Sequence, residues 1–255
     1  MNYGGIIGEH FTLNYKSSAE LKAIAKEQSL GKYGTLIGAN LLILAIQLLV
    51  SGFSTVSGTG SILLIIINSL ITIIINILLG VLVSGRAYLY MNLLYSQPVA
   101  TADVFFGLRQ QPQKAVTIQA LFVLVDFIAS VPAQLFVMRY AATRAASDVA
   151  TAFLLLGIGL IINIIVGLIY SQAFYILHDF PDRSAKEILA TSRRLMKGNV
   201  FRLFYLNMSF IPLYLLGAIT MFIPLLWVSA YRNATNCAFY QDLIATAAGQ
   251  QTTTD

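Results

Sequence analysis

Apolar residues fall in six long blocks, at about 34–52, 61–83, 115–138, 149–177, 200–217 and 222–244, with short polar stretches between them. The second block rises about 35 Å at 1.5 Å per residue, enough to cross the hydrocarbon of a bilayer. It is predicted to continue as helix to about Tyr95, where Pro98 stops it. The short link Gly217–Ile223 predicts that the last two blocks form a tight antiparallel hairpin. Shorter amphipathic stretches precede some blocks. Ser17-Ser18-Ala19-Glu20 reads as a capping box, a hydroxyl followed three residues on by a carboxylate that reaches back. Leu21, Ile24, Ala25 and Gln28 then share one face, which predicts a short helix lying on the membrane surface and ended by Gly31. Ser171–Asn199 has the fullest form of this design. It ends one apolar helix, breaks at Asp179-Phe180-Pro181, caps a basic amphipathic helix at Ser184 and releases the chain at Gly198. Residues 1–16 are expected to be a poorly ordered lead-in and Gly249–Asp255 a loose polar tail.

The pattern repeats. Ser17-x-x-Glu20-Leu21 returns as Ser184-x-x-Glu187-Ile188, and the same offset places Lys26 on Arg193, Gly31 on Gly198 and Asn40 on Asn207. A weaker copy starts at Thr101-Ala102-Asp103. In the even-numbered blocks, Asn76, Gly80, Ser84 and Tyr88 superpose on Asn163, Gly167, Ser171 and Tyr175. Ala173-Phe174-Tyr175 superposes in turn on Ala238-Phe239-Tyr240. Spacing of four puts such residues on one slowly winding stripe, and small or amide residues there let helices approach and hydrogen-bond in lipid. The expected architecture is a single all-α membrane domain over 1–255. It has six transmembrane helices in three parallel pseudo-repeats, about 17–98, 99–180 and 181–245, with a flexible tail at 246–255. Each repeat has a cytoplasmic amphipathic helix and a helical hairpin.

Composition supports lipid burial. Hydrophobic residues make up 57% of the chain and charged ones 11%, and the mean hydropathy is +0.75; a soluble domain usually carries about a quarter charged residues. The net charge of +5 could point to nucleic acid, but Lys and Arg cluster beside the apolar blocks, as topology signals do. With both termini in the cytoplasm, fourteen of the sixteen Lys and Arg lie on the inner side, leaving Arg139 and Arg144 outside. The positive-inside rule therefore predicts a multi-pass protein of the cytoplasmic membrane with both termini inside. Residues 1–32 lack the apolar core of a cleavable signal, so no processing is expected. The single cysteine, Cys237, excludes an internal disulfide.

The stretches SSAELKAIAKEQSLGKYGTLIGAN, YSQAFYILHDFPDRSAKEILATSRRLMKGN, LNMSF and W-x-x-x-Y…AFYQDL resemble the bacterial membrane family known as domain of unknown function 975. The resemblance covers nearly the whole chain and is strongest from Tyr170 to Leu243. It implies an integral membrane protein, mainly of Gram-positive bacteria, and brings no activity, cofactor or catalytic residue. The family usually has Pro where this chain has Ala230, and a small residue where it has His178.

Asp126 is the sharpest candidate. It lies near the middle of the third block, with Gln119 before it, and an ionisable residue at such depth is costly. The matching repeat positions, Ile43 and Phe210, are apolar. Arg232, on the packing stripe of the last block with Asn236, is the expected partner. The two are read either as an interior site for an ion, a proton or a polar head group, or as a structural ion pair. Asn68, Asn76 and Asn163 line a polar path or simply glue helices. Arg193, Arg194 and Lys197 offer a surface to anionic lipid heads or an acidic partner, or serve only as a topology signal. His178-Asp179 forms no metal-ligand spacing, Gly157-Ile158-Gly159 sits inside a span as packing, and Cys237 reads as a small core residue.

No catalytic residue, metal or cofactor is therefore expected, and no nucleic acid. The expected surroundings are the bilayer and either anionic lipids or another membrane protein. Two function classes remain: a transport, lipid-handling or small-molecule-handling protein with a polar intramembrane site, and a non-catalytic accessory or scaffold protein that docks a partner. The first needs a lipid- or water-connected cavity. The second predicts a closed core with an exposed groove.

Overall fold

Three carboxylates start the short helices that lead into the long ones. Glu20 accepts from the Ser17 backbone N–H at 2.6 Å, Asp103 from that of Ala100 at 2.9 Å and Glu187 from that of Ser184 at 2.8 Å. At Ser17 and Ser184 the serine hydroxyl answers by accepting from the backbone N–H of the glutamate, which completes the box. Ala100 has no hydroxyl to do so, and the turn after it is a 3₁₀ helix, Thr101–Phe105. The two full boxes start α1 (Ser18–Ser29) and α9 (Ala185–Met196). Gly31 and Gly198 follow them with φ of 75° and 84°, the left-handed conformation in which a side chain is strained.

This computed structural model describes residues 15–53, 62–220 and 223–251, and no strand occurs among them. The remaining elements are α2 (Tyr33–Phe53), α3 (Ile62–Leu78), α4 (Gly80–Leu94), α5 (Phe106–Arg109), α6 (Pro112–Thr143), α7 (Ala146–Ile169), α8 (Ala173–Asp179), α10 (Val200–Met208), α11 (Ile211–Ile219) and α12 (Ile223–Gln251). Five stretches are long and apolar enough to cross a membrane: Tyr33–Val50, Ile66–Leu94, Pro112–Thr143, Ala146–Asp179 and Val200–Ile219. The sixth expected span is helical, as α12, but Arg232, Asn233 and Asn236 dilute its apolar run. The lead-in, at residues 1–14, and the end of the tail, at 252–255, lie outside the described residues. Helix α12 runs past the drawn boundary at 245 to Gln251.

Three expected single helices are interrupted. The second has a turn at Leu79, the fourth at Tyr170–Gln172 and the fifth at Ser209–Phe210. At two of these breaks a serine hydroxyl competes for a carbonyl of its own helix: Ser171 donates to Leu168 at 2.8 Å and Ser209 to Leu206.

The buried core sits at one end. Leu21 and Ala25 of α1, Leu89 and Leu93 of α4, Ile176 and Leu177 of α8, Ile188 of α9, and Phe239 and Tyr240 of α12 are all 2% exposed or less. Away from that end, Leu70, Ile74, Ile128, Leu135, Phe153, Leu160 and Ile219 are exposed. So many bare large apolar side chains on the long helices are what a bilayer covers. The face of α1 is Leu21, Ala25 and Ser29, buried against α12, so the protein itself covers the surface expected to lie on the membrane. Lys22 also folds inward, over the Phe210 ring at 4.4 Å and near the Ser209 carbonyl at 3.3 Å.

Backbone-to-backbone contact ties α4 to the turn beside it. A Cβ on Gly85 would stand 1.9 Å from the Val104 carbonyl oxygen, and one on Gly107 would stand 2.1 Å from that of Val81. Gly80 approaches Gln119 of α6 and Gly159 approaches Ala129, as the small-residue stripe predicts. Gly217 meets Leu225 across the α11–α12 hairpin. Gly167 and Gly157 have nothing within 4 Å, so the packing expected of them does not occur; each faces an open side of α7.

Two tests follow from this packing. Gly85→Ala must displace backbone, so its thermal unfolding in detergent should fall by the equivalent of roughly 1–3 kcal/mol, while Gly157→Ala should not be destabilised. A wild-type midpoint for Gly85→Ala would refute the contact. The backbone hydrogen bond from Ser184 holds the Glu187 carboxyl below its ordinary range. A depressed carboxyl stabilises the fold above its unfolded value and loses that contribution as pH falls through the folded one. Hydrogen exchange in the first turn of α9, corrected for intrinsic rate, should therefore rise in acid, and Ser184→Ala should raise it roughly fivefold already at neutral pH.

Candidate functional site

Polar residues spaced by four or seven line up on two facing helices. On α3 these are Asn68, Thr72 and Asn76, with Ser69 beside them; on α6 they are Gln119, Asp126, Ser130 and Gln134. Asn163 of α7 joins them. With Ile73, Phe122, Val123 and Phe127 they line a cavity of about 750 Å³. Thr72, Asn76, Asp126 and Gln134 are exposed, so the cavity is a groove open on one side. From Gln119 to Gln134 it rises about 22 Å along α6, most of the roughly 30 Å hydrocarbon thickness.

The hydrogen bonds show what the groove offers. Asn163 donates to the Asp126 carboxylate at 3.0 Å and to the Gly159 carbonyl at 3.1 Å. Asn76 donates to the Thr72 carbonyl at 2.8 Å, and Gln134 to the Ser130 hydroxyl at 3.2 Å. Asn76, Ser130 and Gln134 are thus turned toward their own helices, and Asp126 accepts from the neutral Asn163. It is the one charged side chain of the lining.

Arg232 is elsewhere, which corrects the expected pair. Its Nε donates to Asn207 Oδ1 of α10 at 2.7 Å, and its guanidinium lies 6.0 Å from the Tyr214 ring centre. An amide and a ring face within reach on α10 and α11 make a distant carboxylate unnecessary. Asn236 lines a separate, smaller cavity with Asn233, Ser171 and Tyr175. Of the six sequence candidates for an intramembrane site, then, Asp126, Gln119, Asn76 and Asn163 come together, whereas Arg232 and Asn236 do not join them.

A family model described as "Protein of unknown function (DUF975)" matches residues 14–247. The chain belongs to this family. No curated protein matches it, and no solved structure matches it.

In this DUF975 chain the polar ties that sequence reasoning missed lie at the packed end. Asp242, 4% exposed, binds Arg202 of α10 and accepts from the Lys16 backbone N–H at 3.2 Å. Tyr240 donates to Asp179, and Lys114 donates to the Pro181 carbonyl. His178 places Nε2 2.8 Å from the Ser84 carbonyl, with its ring beside Tyr88 and Phe106. Cys237 is fully buried. Asp242 lies near the end of the sixth apolar block, and its partners lie 226 and 40 residues away, so spacing gave no signal. On α9 and at the residue after it, Arg193, Arg194 and Lys197 are exposed, and Arg194 and Arg183 flank a hollow of about 460 Å³ with Glu187, Ala190 and Thr191. No group of three or more His, Cys, Asp or Glu placed to hold a metal occurs among the described residues.

The two acids should respond differently to removal. Asp242→Ala leaves the partly buried Arg202 without its carboxylate and should cost about 3 kcal/mol or more. Asp126→Ala should change stability by less than about 1 kcal/mol. Unfolding of both variants in one detergent checks the order; equal losses would contradict it.

Proposed function

We propose that this protein handles a lipid or small molecule carrying an amine or hydroxyl head, which enters the groove between α3, α6 and α7. The observation that carries this is the polar lining itself, a row of amides and hydroxyls with one carboxylate on helices that otherwise present bare Leu and Ile. A row of neutral donors and acceptors around one negative charge favours an ammonium or a hydroxyl over a free anion. A volume of about 750 Å³ falls within the range of small-molecule sites, about 300–1,000 Å³. Nothing in the lining activates a nucleophile, so we read the site as binding or passing its ligand, without catalysis.

We set this site in a protein of six spans, with α12 the sixth and both termini on the cytoplasmic side. Its 29 residues are long enough to cross, and its polar residues turn to protein partners such as Asn207. The related capping carboxylates at Glu20, Asp103 and Glu187 support three parallel units. The exposed cations of α9 suit anionic lipid heads of the inner leaflet. The scaffold alternative calls for a closed core with an exposed groove, and the open groove meets that too; the carboxylate and amides of the lining are what favour a polar-headed ligand.

The test is purification in native lipid followed by mass spectrometry of what stays bound, for the wild type and for Asp126→Asn. An amine- or hydroxyl-headed molecule enriched on the wild type and at least several-fold reduced on the variant supports the reading. The same molecules in the same amounts on both would overturn it.

A further inference from the structure

Arg86 of α4 is a cation with no hydrogen bond and no ion pair among the described residues. It is partly buried, and it lines a cavity of about 160 Å³ with Tyr90, Ser171, Tyr175, Asn233 and Asn236. Three separate parts of the chain converge there: α4, the α7–α8 junction and α12. On the register that superposes Ser84 and Tyr88 on Ser171 and Tyr175, Arg86 falls on Ala173, and that residue falls on Ala238. Both alanines are buried, at 0% and 3% exposure. Packing at this position is therefore met by a methyl group, and a topology signal needs a positive charge at this end but not one turned into a cavity. A half-buried guanidinium that lines a cavity without a carboxylate favours a ligand of opposite sign there.

The cavity's other polar groups narrow the chemistry. The Ser171 hydroxyl is engaged by Leu168 and Gln172, and the Tyr90 hydroxyl by Asn40. The Asn236 Oδ1 atom is buried with no partner, so it calls for a donor. No acid lines the cavity. A ligand that suits both must present anionic oxygens to Arg86 and one hydroxyl proton to Asn236. We infer that this cavity binds a phosphate that keeps a P–OH group, either free inorganic phosphate or the phosphomonoester head of a lipid. The guanidinium fork pairs with two phosphate oxygens, and the remaining P–OH donates to Asn236. At about 160 Å³ the space suits an ion or a head group, well below the roughly 300 Å³ where sites for larger molecules begin.

The test uses the full chain in a neutral detergent. Inorganic phosphate at millimolar concentration should raise the unfolding midpoint by a few degrees more than sulfate of equal ionic strength, which carries no hydroxyl at neutral pH. In parallel, native mass spectrometry with short-chain phosphatidic acid and phosphatidylcholine separates the two sources. Protection by inorganic phosphate assigns the free ion. Selective retention of phosphatidic acid without phosphate protection assigns the lipid head. Either response should disappear in Arg86→Gln and in Asn236→Leu, which removes the acceptor and narrows the cavity while keeping the cation. It should survive in Arg193→Gln on α9 and in Asp126→Asn in the groove, so this result stands apart from the groove reading. If Arg86→Gln does not fold, Asn236→Leu decides. Equal protection by sulfate, no response from phosphate or phosphatidic acid, or a response that persists in Asn236→Leu would overturn the proposal.

Discussion

The carboxylate of Asp242 ties together parts of the chain that lie far apart in the sequence. It sits nearly buried on α12, takes the Arg202 guanidinium from α10 and reaches the chain just before α1. A charge held in such surroundings needs its partners in place, so helices far apart in sequence are fixed relative to one another. The Gly85 and Gly107 approaches do the same for α4 and the turn after it, through bare backbone. Lys114 at the Pro181 carbonyl and Tyr240 at Asp179 add links to α6 and α8. The result is one closed, mostly apolar layer from which the long helices extend.

That layer explains why the long helices need not pack tightly along their whole length. Their outer Leu, Ile and Phe side chains are bare because a bilayer, and not protein, covers them. Polar side chains in such a region have few choices. Asn76, Ser130 and Gln134 turn to groups on their own helix, and Asn163 turns to Asp126 on the next. The groove keeps an exposed carboxylate, which the proposed ligand would meet. Its openness on one side fits a molecule that keeps its apolar part in the lipid.

Much of the fold could be read from the chain because its signals are local. Ser17 with Glu20 and Ser184 with Glu187 announce helix starts through contacts three residues apart, and Gly31 and Gly198 announce their ends. The spacing of four at Asn68, Thr72 and Asn76 marked a stripe that does face a common space with Asp126, Gln119 and Asn163. The failures are of the opposite kind. Pairing Asp126 with Arg232 followed from charge, depth and the packing stripe, while Asn207 and Tyr214 satisfy the arginine without a charge. Likewise α1 has an amphipathic face, but sequence does not say whether lipid or α12 covers it. The breaks at Tyr170–Gln172 and Ser209–Phe210 arise from serine hydroxyls competing for carbonyls, an effect that hydropathy averages away.

The most direct measurement is the reactivity of single cysteines along α6 in native membranes, on a background with Cys237 replaced by alanine. A groove open to water along α6 means that cysteines at 119, 126, 130 and 134 react with a small, water-soluble, charged thiol reagent. Those at 124, 128 and 135, on the bare apolar side, should stay inert. Reactivity following that stripe supports a polar path within the spans. Uniform inertness, or labelling that ignores the stripe, would contradict it.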